Sequence, residues 1–361
     1  ETRKSSNDMS PYFNSTVQGL FVKAEDELAN QKDETGKLSL ARIMTIETLI
    51  TYSSHDKQET LMDILYQYLQ QIEYLHSNSQ NLQNSGCKEE KIRQLQDFYY
   101  TLIRSIFKKY QKPIKKDLAK KFWILTEQIF ILRKTVFEEA NLALGALANN
   151  MKMDFTEIFP LYYKYLEFSI LKFDEQILSK SGLATLLTII RVLESKFTEL
   201  NLSESILKAL IQVCSSNSVL RQNKTLAISS IGEIAINMGT SFIPYLEDIM
   251  KLLFSAIQLA ISGLDGDEDD ILFIKNLRYE IIQTFTCIEF ALEDKINLFV
   301  PYVPDLFKFF KTIVNDQKFM NEEILYSMMN FVCDMINNFG VNLLKVFRRI
   351  SCILNGFIIG I

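Results

Sequence analysis

An eight-residue segment of this chain recurs 87 positions later. Leu144–Met151 reads LGALANNM, and Ile231–Met238 reads IGEIAINM. A third copy, Cys333–Gly340, begins 101 residues after Gly232. Weaker copies lie between them, so the repeating unit has about half of the first spacing, roughly 43 residues. Units of this kind contact only their neighbours along the chain, and together they build an extended core.

A unit of about 40–47 residues is typical of HEAT and armadillo repeats, in which each unit is built from α-helices. Apolar residues follow helical periodicity almost throughout the chain. The sequence therefore predicts an all-α fold, an α-α superhelix of about seven to eight helix pairs that forms a single solenoid over residues 1–361. Two loops, 77–89 and 263–270, are predicted insertions between helices. The predicted pairs are 9–24 with 37–53, 57–76 with 90–110, 114–131 with 134–152, 155–173 with 176–197, 202–216 with 221–239, 242–262 with 271–294 and 299–315 with 321–339, followed by a lone helix at 341–355.

The composition fits a packed helical protein and favours basic partners. Hydrophobic residues make up 48% of the chain, while only 6 Pro and 12 Gly are present, which argues against a disordered or all-β fold. The net charge of −5 argues against a nucleic-acid partner, because nucleic-acid-binding proteins normally carry a basic surface. Uninterrupted apolar runs of about 18 or more residues are absent, so no membrane insertion is expected.

No pattern in the sequence predicts catalysis, a metal site or a cofactor. The 5 cysteines have irregular spacing, so we expect reduced, mostly buried thiols of a cytosolic or nuclear protein. The two histidines, His55 and His76, lie at polar helix ends. The sequence has no phosphate-binding loop, nucleophile elbow or zinc-binding motif. The chain is therefore predicted to bind other proteins and not to be an enzyme.

The most charged segment of the sequence lies between positions 265 and 270. Asp265, Asp267 and Asp269 have the spacing of the first ligands of a calcium loop. However, Asp270 replaces the required Gly, and Asn276 replaces the terminal Glu. Two interpretations remain for these four aspartates: a solvated loop, or an electrostatic contact for a basic partner.

Glu233 and Asp334 occupy the same position of the repeat, one turn before the end of a second helix. Second helices line the concave face of α-solenoids, so both carboxylates are candidate contacts for a basic ligand. Such contacts would add association rate and salt-sensitive affinity. The alternative is that both residues are ordinary solvated acids on helix surfaces.

Aromatic residues cluster on the predicted helix 155–173 and form two stripes at helical spacing. The stripe 159/162/166/170 is expected in the core. The stripe 161/165/168 includes Tyr165 and Phe168, which either pack between repeats or form the wall of a surface slot for an aromatic side chain of a ligand. Trp123, the only Trp, is expected in the core.

Several segments resemble importin-β, the family of nuclear import karyopherins, in the same order along the chain. Ser229–Leu246 resembles the family's SVFGDIALAIGxEFxxYL, and Cys333–Lys345 resembles GDLCTAFGKDVLKL. Near the start, Ser10–Phe13 matches TPFF and Thr45–Leu49 matches AYEAL. The resemblance covers nearly the whole chain and corresponds to the C-terminal half of importin-β.

The resemblance implies a nuclear transport receptor of the cytoplasm, nucleus and nuclear pore. Its C-terminal half would wrap the basic importin-β-binding helix of importin-α, or other basic cargo, with Glu47, Glu233 and Asp334 as the matched acids. Its outer surface would take Phe-Gly side chains of nucleoporins between first helices. Ran-GTP would bind mainly the N-terminal half of the family's proteins.

This sequence departs from the family pattern at three acidic positions. Thr188 stands where the family has an Asp in the repeat before Glu233, and Tyr279 and Gln283 replace family acids. These replacements predict weaker affinity for an importin-α segment, or contacts through other acids. Two further interpretations remain: a general HEAT scaffold such as a phosphatase scaffolding subunit, and an exportin-like karyopherin that needs Ran-GTP to hold its cargo.

Overall fold

The fold is described from a computed structural model, over residues 44–50, 58–79, 89–261 and 267–339, with Thr16 and Gly19. These residues form α-helices joined by short turns and contain no strand, which confirms the all-α prediction. Residues 44–50 are helical. The main helices are α1 Gln58–Ser77, α2 Glu89–Lys109, α3 Lys116–Arg133, α4 Glu138–Met151, α5 Phe159–Leu171, α6 Gln176–Leu193, α7 Ser203–Ser215, α8 Arg221–Met238, α9 Leu246–Ile261, α10 Glu268–Leu292, α11 Val303–Asn315 and α12 Glu322–Phe339, and a single helical turn, Lys196–Glu199, follows α6.

The predicted helix at 341–355 and most of the predicted pair 9–24 and 37–53 lie outside the described residues. The chain divides into two compact units, residues 1–169 and 170–361, with the boundary inside α5. That the whole chain forms one solenoid therefore stays a prediction.

Within each unit the helices form two layers. In the second unit, α6, α8, α10 and α12 pack on one another in that order, which we call the second-helix layer. The helices α7, α9 and α11 pack on one another as the first-helix layer. In the first unit, α2 packs on α4, and α1 packs on both α2 and α3. Alternate helices along the chain therefore belong to alternate layers, as the repeat predicted.

The 87-residue echo has a counterpart in the backbone. Lys152 ends α4 with φ 55° and ψ −132°, and Gly239 ends α8 with φ 54° and ψ −136°. Each begins a 3₁₀ segment, at Lys152–Glu157 and Gly239–Tyr245. The first helices therefore begin at Phe159 and Leu246, later than predicted, and Pro244 lies in a 3₁₀ turn.

Side-chain amides hold the loops between helix pairs. Asn150 Oδ1 accepts a hydrogen bond from the Ile114 amide at 2.7 Å, and its Nδ2 donates to the Tyr110 carbonyl at 2.8 Å. In the second unit, Gln176 accepts from the Leu220 amide at 3.0 Å. These bonds satisfy backbone groups that the ends of α2 and the starts of α3 and α8 leave unpaired.

The start of α10 corrects the predicted loop 263–270. Asp267 is the N-cap residue, and its side chain accepts a hydrogen bond from the Asp270 amide at 3.1 Å. Glu268, Asp269 and Asp270 form the first helical turn, where carboxylates interact favourably with the helix dipole. The acidic residues that suggested a loop are therefore the reason why the helix extends three residues further than expected.

The absence of a side chain on Gly232 lets α8 and α10 approach closely. A Cβ atom placed on Gly232 would lie 3.2 Å from both Cα and Oγ1 of Thr284. The Thr284 hydroxyl donates to the Ile228 carbonyl at 3.1 Å, so it is fixed in the seam. The absence of a side chain at position 232 is what permits this approach.

Two segments, Gln176–Leu193 and Arg221–Ile261, are long and apolar enough to cross a membrane by length and composition alone, although neither is an uninterrupted apolar run. About half of the most apolar 18-residue window in each is buried inside the protein, at 56% and 50%. The core helices of a packed helical protein have the same properties, and these segments are α6 and the run from α8 to α9.

Candidate functional site

Glu233 lies on α8 and is already engaged by a cation. Its Oε1 accepts a hydrogen bond from Arg191 Nε on α6 at 2.6 Å. The exposed fraction is 26% for the Glu233 side chain and 55% for Arg191. The charge of Arg191 also acts on Glu280 of α10. Burial raises the pKa of Glu280, while a hydrogen bond from Ser229 and the charge of Arg191 lower it. One arginine therefore serves two carboxylates on neighbouring helices.

Asp334 lies on α12 beside a buried carboxyl that the sequence did not predict. Glu289 of α10 is only 2% exposed. Its Oε1 accepts a hydrogen bond from Asn338 Nδ2 at 3.1 Å, while its Oε2 is buried without a partner. Burial is the main cause that raises the Glu289 pKa to about 7, and the nearby charge of Asp334 adds to it. We call Glu289, Asp334 and Asn338 the carboxyl triplet.

The layer that holds these acids is strongly negative at its C-terminal end. α10 and α12 together contain eight Asp and Glu residues, whereas Lys275 and Arg278 are their only basic residues. Arg278 is fully buried and bonded to Asp316, so it does not neutralise the surface. A cationic ligand would meet a net negative surface on these two helices.

Glu47, in the first unit, is satisfied by neighbouring side chains. It accepts a hydrogen bond from the Ser105 hydroxyl at 2.8 Å and one from Arg104 at 3.3 Å. The exposed fraction of its side chain is 31%. The structure therefore gives Glu47 a packing role next to α2, and a ligand would compete with Arg104 for it.

The aspartates of the acidic segment 265–270 differ in whether they are paired or exposed. Asp270 forms an ion pair with Arg221, whose guanidinium lies 4.8 Å from the centre of the Phe273 ring. Asp267 and Asp269 remain exposed on the surface. Asp265 lies outside the described residues. Among the predicted contacts that the structure describes, Asp270 is engaged in an ion pair and Asp267 in the N-cap of α10, while Asp269 is exposed.

Tyr165 and Phe168 differ in their surroundings. Tyr165 packs against Phe130 and Trp123 of α3, with ring centres 5.1 and 5.9 Å apart, and its hydroxyl donates to Glu127 at 3.1 Å. Phe168 keeps 44% of its surface exposed. The other stripe, 159/162/166/170, and Trp123 are buried as predicted. Tyr165 thus has the inter-repeat packing that was one of its two interpretations.

The structure adds an apolar cavity that the sequence did not predict. It has a volume of about 530 Å³ and lies among α7, α8, α9 and α10 in the second unit. Ile211, Leu252, Leu259 and Phe273 contribute apolar walls, and the charged residues Arg221, Lys224, Asp248 and Lys251 also line it. We call it the α7–α9 cavity. Its lining comes from four helices, so no single segment of sequence could indicate it.

The described cysteines are only partly as expected. Cys214 and Cys287 are partly buried, and burial raises the pKa of each thiol to about 12, which makes both poor nucleophiles. Cys333 is exposed on α12, which corrects the expectation of a buried thiol. Among the described residues, no cluster of His, Cys, Asp or Glu could hold a metal ion.

Comparison with known families identifies one over almost the whole chain. Residues 1–355 match the model described as "Importin subunit beta-1-like, TPR repeats". The chain is 25% identical over 342 residues to importin subunit beta-1 of Arabidopsis thaliana, and 23% identical over 345 residues to that of Schizosaccharomyces pombe. Each alignment covers 93% of this chain but only 38% of the relative. The chain thus spans well under half the length of these relatives.

Solved structures show the same fold. A crystal structure of importin beta in an ammonium sulfate condition has a TM-score of 0.79 and 20% identity, and covers 96% of this chain and 40% of that chain. A Kap95:Nup1 complex has a TM-score of 0.67 and 21% identity, with 92% and 37% covered. A structure of Kap95p that induces the switch loops of RanGDP to adopt the GTP-bound conformation has a TM-score of 0.72 and 21% identity, with 93% and 38% covered. These likenesses confirm the helical-repeat solenoid fold.

Proposed function

The chain belongs to the importin subunit beta-1-like family of nuclear transport receptors, and we propose that it binds a basic helical segment, such as the importin-β-binding helix of importin-α, through the second-helix layer. In this proposal it also takes Phe-Gly side chains of nucleoporins in the first-helix layer. Together these contacts would carry protein cargo from the cytoplasm into the nucleus through the nuclear pore.

The observation that supports the first contact is the charge of α10 and α12. Eight Asp and Glu residues against two basic residues give this pair of helices a net negative charge that favours lysines and arginines. Asp334 and Asp269 are at least partly exposed, so they can meet a cation directly. Glu233 would contribute by exchanging its bond with Arg191 for one with the ligand. Coulomb attraction of this kind steers association and weakens as salt rises.

The α7–α9 cavity supports the second contact. A buried aromatic ring needs a concave, mostly apolar site, and this cavity has apolar walls from four helices. Leu259 at its wall is 38% exposed, so the cavity is open to the surface. Phe168 and Tyr165 remain a second candidate in the first unit, where Phe168 provides the exposed surface.

Ran would be a partner mainly through parts of the receptor that correspond to the N-terminal half of the family's proteins. The relatives are more than twice as long as this chain, and a similar structure describes Kap95p acting on RanGDP. A phosphatase scaffolding subunit would bind a folded enzyme and not a basic helix, so binding of a basic helix distinguishes the two functions.

A titration tests the basic-helix contact. A helical peptide rich in arginine is expected to bind the protein, with affinity falling as salt rises, while the same peptide with glutamine at each arginine does not. Asp334→Lys should weaken binding. Glu204→Lys is the matched control, because Glu204 is an exposed acid on α7 in the other layer. Absence of binding by the wild-type protein at low salt would reject the proposed contact.

Retention on immobilised peptides tests the Phe-Gly contact. Phe-Gly repeats should retain the protein and Ser-Gly repeats should not. Ser255→Trp places a ring at the α7–α9 cavity and should reduce retention, because Ser255 lines the cavity from an exposed position. Gln258→Trp, on the same helix but outside the lining, is the control. Equal retention of the two variants would assign the Phe-Gly contact elsewhere.

A further inference from the structure

The carboxyl triplet contains a polar atom with an unsatisfied bonding requirement. Glu289 is 2% exposed, its Oε1 receives one hydrogen bond from Asn338, and its Oε2 receives none. Buried carboxyl oxygens are normally paired, and an unpaired one carries a desolvation cost. Glu289 thus leaves one carboxyl oxygen unpaired between α10 and α12.

The surroundings of Glu289 make its charge more costly. The charged group that acts on it is Asp334, one turn from Asn338 on the facing helix, and it has the same sign. The described residues give Glu289 no arginine or lysine partner. By contrast, Glu233 has Arg191 at 2.6 Å. The two acids on equivalent second helices therefore differ: one has its cation inside the protein and the other does not.

We propose that Glu289, Asp334 and Asn338 form a receptor for one arginine or lysine side chain of the partner helix, and that the arriving cation releases a proton from Glu289 to solvent. The inference rests on the proposed function, and it deepens it by naming one cation subsite and its coupling to pH. Asp334 and Asn338 are partly or fully exposed, so the cation approaches over the C-terminal half of α12.

The exchange at this site balances in charge and protons. Before binding, the neutral carboxyl of Glu289 avoids repulsion from Asp334, and Asn338 donates its one hydrogen bond. On binding, the O–H bond of Glu289 breaks, the proton passes to water, and the carboxylate pairs with the cation. A guanidinium suits this site well because its parallel N–H groups can meet both oxygens of one carboxylate. The cation replaces Asn338 as the donor and places a positive charge between the two acids.

Calorimetry of the arginine-rich peptide with the wild-type protein tests the proton release directly. Titrations at pH 7 in two buffers of different ionisation enthalpy should report about half a proton released per peptide, because a group with a pKa of about 7 is half protonated there. Affinity should rise about tenfold between pH 6 and pH 8. In Glu289→Gln both effects should disappear, while Glu204→Gln, a change at an exposed acid of α7 in the other layer, should retain them.

The possible outcomes separate this inference from the function on which it rests. If the wild-type protein does not bind the peptide, both are rejected. If it binds without releasing protons, or if Glu289→Gln keeps the wild-type pH dependence, the basic-helix contact stands and the proton-linked subsite is rejected. The wild-type measurement does not depend on the folding of any variant.

Discussion

Arg278 donates a hydrogen bond to Asp316 with 2.7 Å between Nη2 and Oδ2, although Arg278 is fully buried. The same guanidinium donates from Nε to the Ala260 carbonyl at 3.1 Å and lies 5.4 Å from the Phe319 ring centre. It thus joins α9, α10 and the segment that follows α11. A buried charge is tolerated only when it is paired and hydrogen-bonded, and Asp316 supplies the opposite charge.

Asp316→Ala should therefore destabilise the protein more than the loss of a surface acid. Removing one partner of a buried pair costs about 3–5 kcal/mol. We expect about 2–3 kcal/mol here, because the Asp316 side chain is 32% exposed and solvent screens part of the interaction. Denaturant unfolding measures this difference. The control is Asp305→Ala, since Asp305 forms an exposed pair with Lys308 that is worth at most about 1 kcal/mol. Equal losses in the two variants would show that Arg278 finds other partners.

Gly232→Val should destabilise the seam between α8 and α10. Even a Cβ atom would lie 3.2 Å from the Thr284 backbone, so a valine forces the helices apart at a cost of about 1–3 kcal/mol. Asn237→Val, a partly exposed position of the same helix, controls for the low helix propensity of valine. Thermal unfolding is the measurement. A Gly232 variant as stable as the Asn237 variant would contradict the close approach.

The sequence predicted the helices well because repeat spacing and apolar periodicity are local signals. The helix pairs from 57 to 339 lie within a few residues of their predicted positions, and the main shifts come from the 3₁₀ turns that follow Lys152 and Gly239. Both turns require a positive φ, at Lys152 and at Gly239. Lysine rarely adopts a positive φ, so the residue type at position 152 does not indicate the turn.

The site residues were harder to predict because their roles depend on distant partners. Glu233 and Asp334 occupy equivalent repeat positions, yet one pairs with Arg191, 42 positions away, and the other lies beside Glu289. Glu289 itself occurs among apolar residues and carries no motif. Position in a repeat predicts which layer a residue occupies, but it does not predict which neighbour it meets across the next helix.

Substitutions at Lys152 and Gly239, the residues that end α4 and α8, should change the stability of the protein in opposite directions. A residue with a Cβ atom is strained at positive φ, at a cost of about 1–3 kcal/mol, so Lys152→Gly should stabilise the protein and Gly239→Ala should destabilise it. The nearest atom to a Cβ on Gly239 is 4.0 Å away, so crowding does not contribute. Unfolding of both variants in denaturant measures the effect. A destabilised Lys152→Gly would indicate that its bond to Asn149 matters more than the strain.

Glu233→Lys should weaken the binding of the arginine-rich peptide with little loss of stability. Its bond with Arg191 is partly exposed, and such pairs contribute roughly 0.2–1 kcal/mol. The reversal also places two cations together on α6 and α8, which repels a basic ligand. Peptide titration and thermal unfolding of the same sample separate the two effects. A loss of several kcal/mol in stability would show that Glu233 is mainly structural, and Glu204→Lys serves as the control for net charge.

Glu289→Gln should change the pH dependence of stability. Burial raises the pKa of Glu289 from 4.5 to about 7, so the folded protein holds this proton more tightly than the unfolded chain. The stability that the proton contributes is fully present below pH 4.5 and is lost as the pH rises through 7, a difference of about 3 kcal/mol for a shift of this size. Glutamine cannot ionise, so the variant should gain stability over the wild type at pH 8 and differ little at pH 5. Unfolding free energies at both values measure this change. Glu322→Gln should follow the wild-type profile, and a Glu289→Gln profile parallel to the wild type would contradict a buried carboxyl that titrates near neutrality.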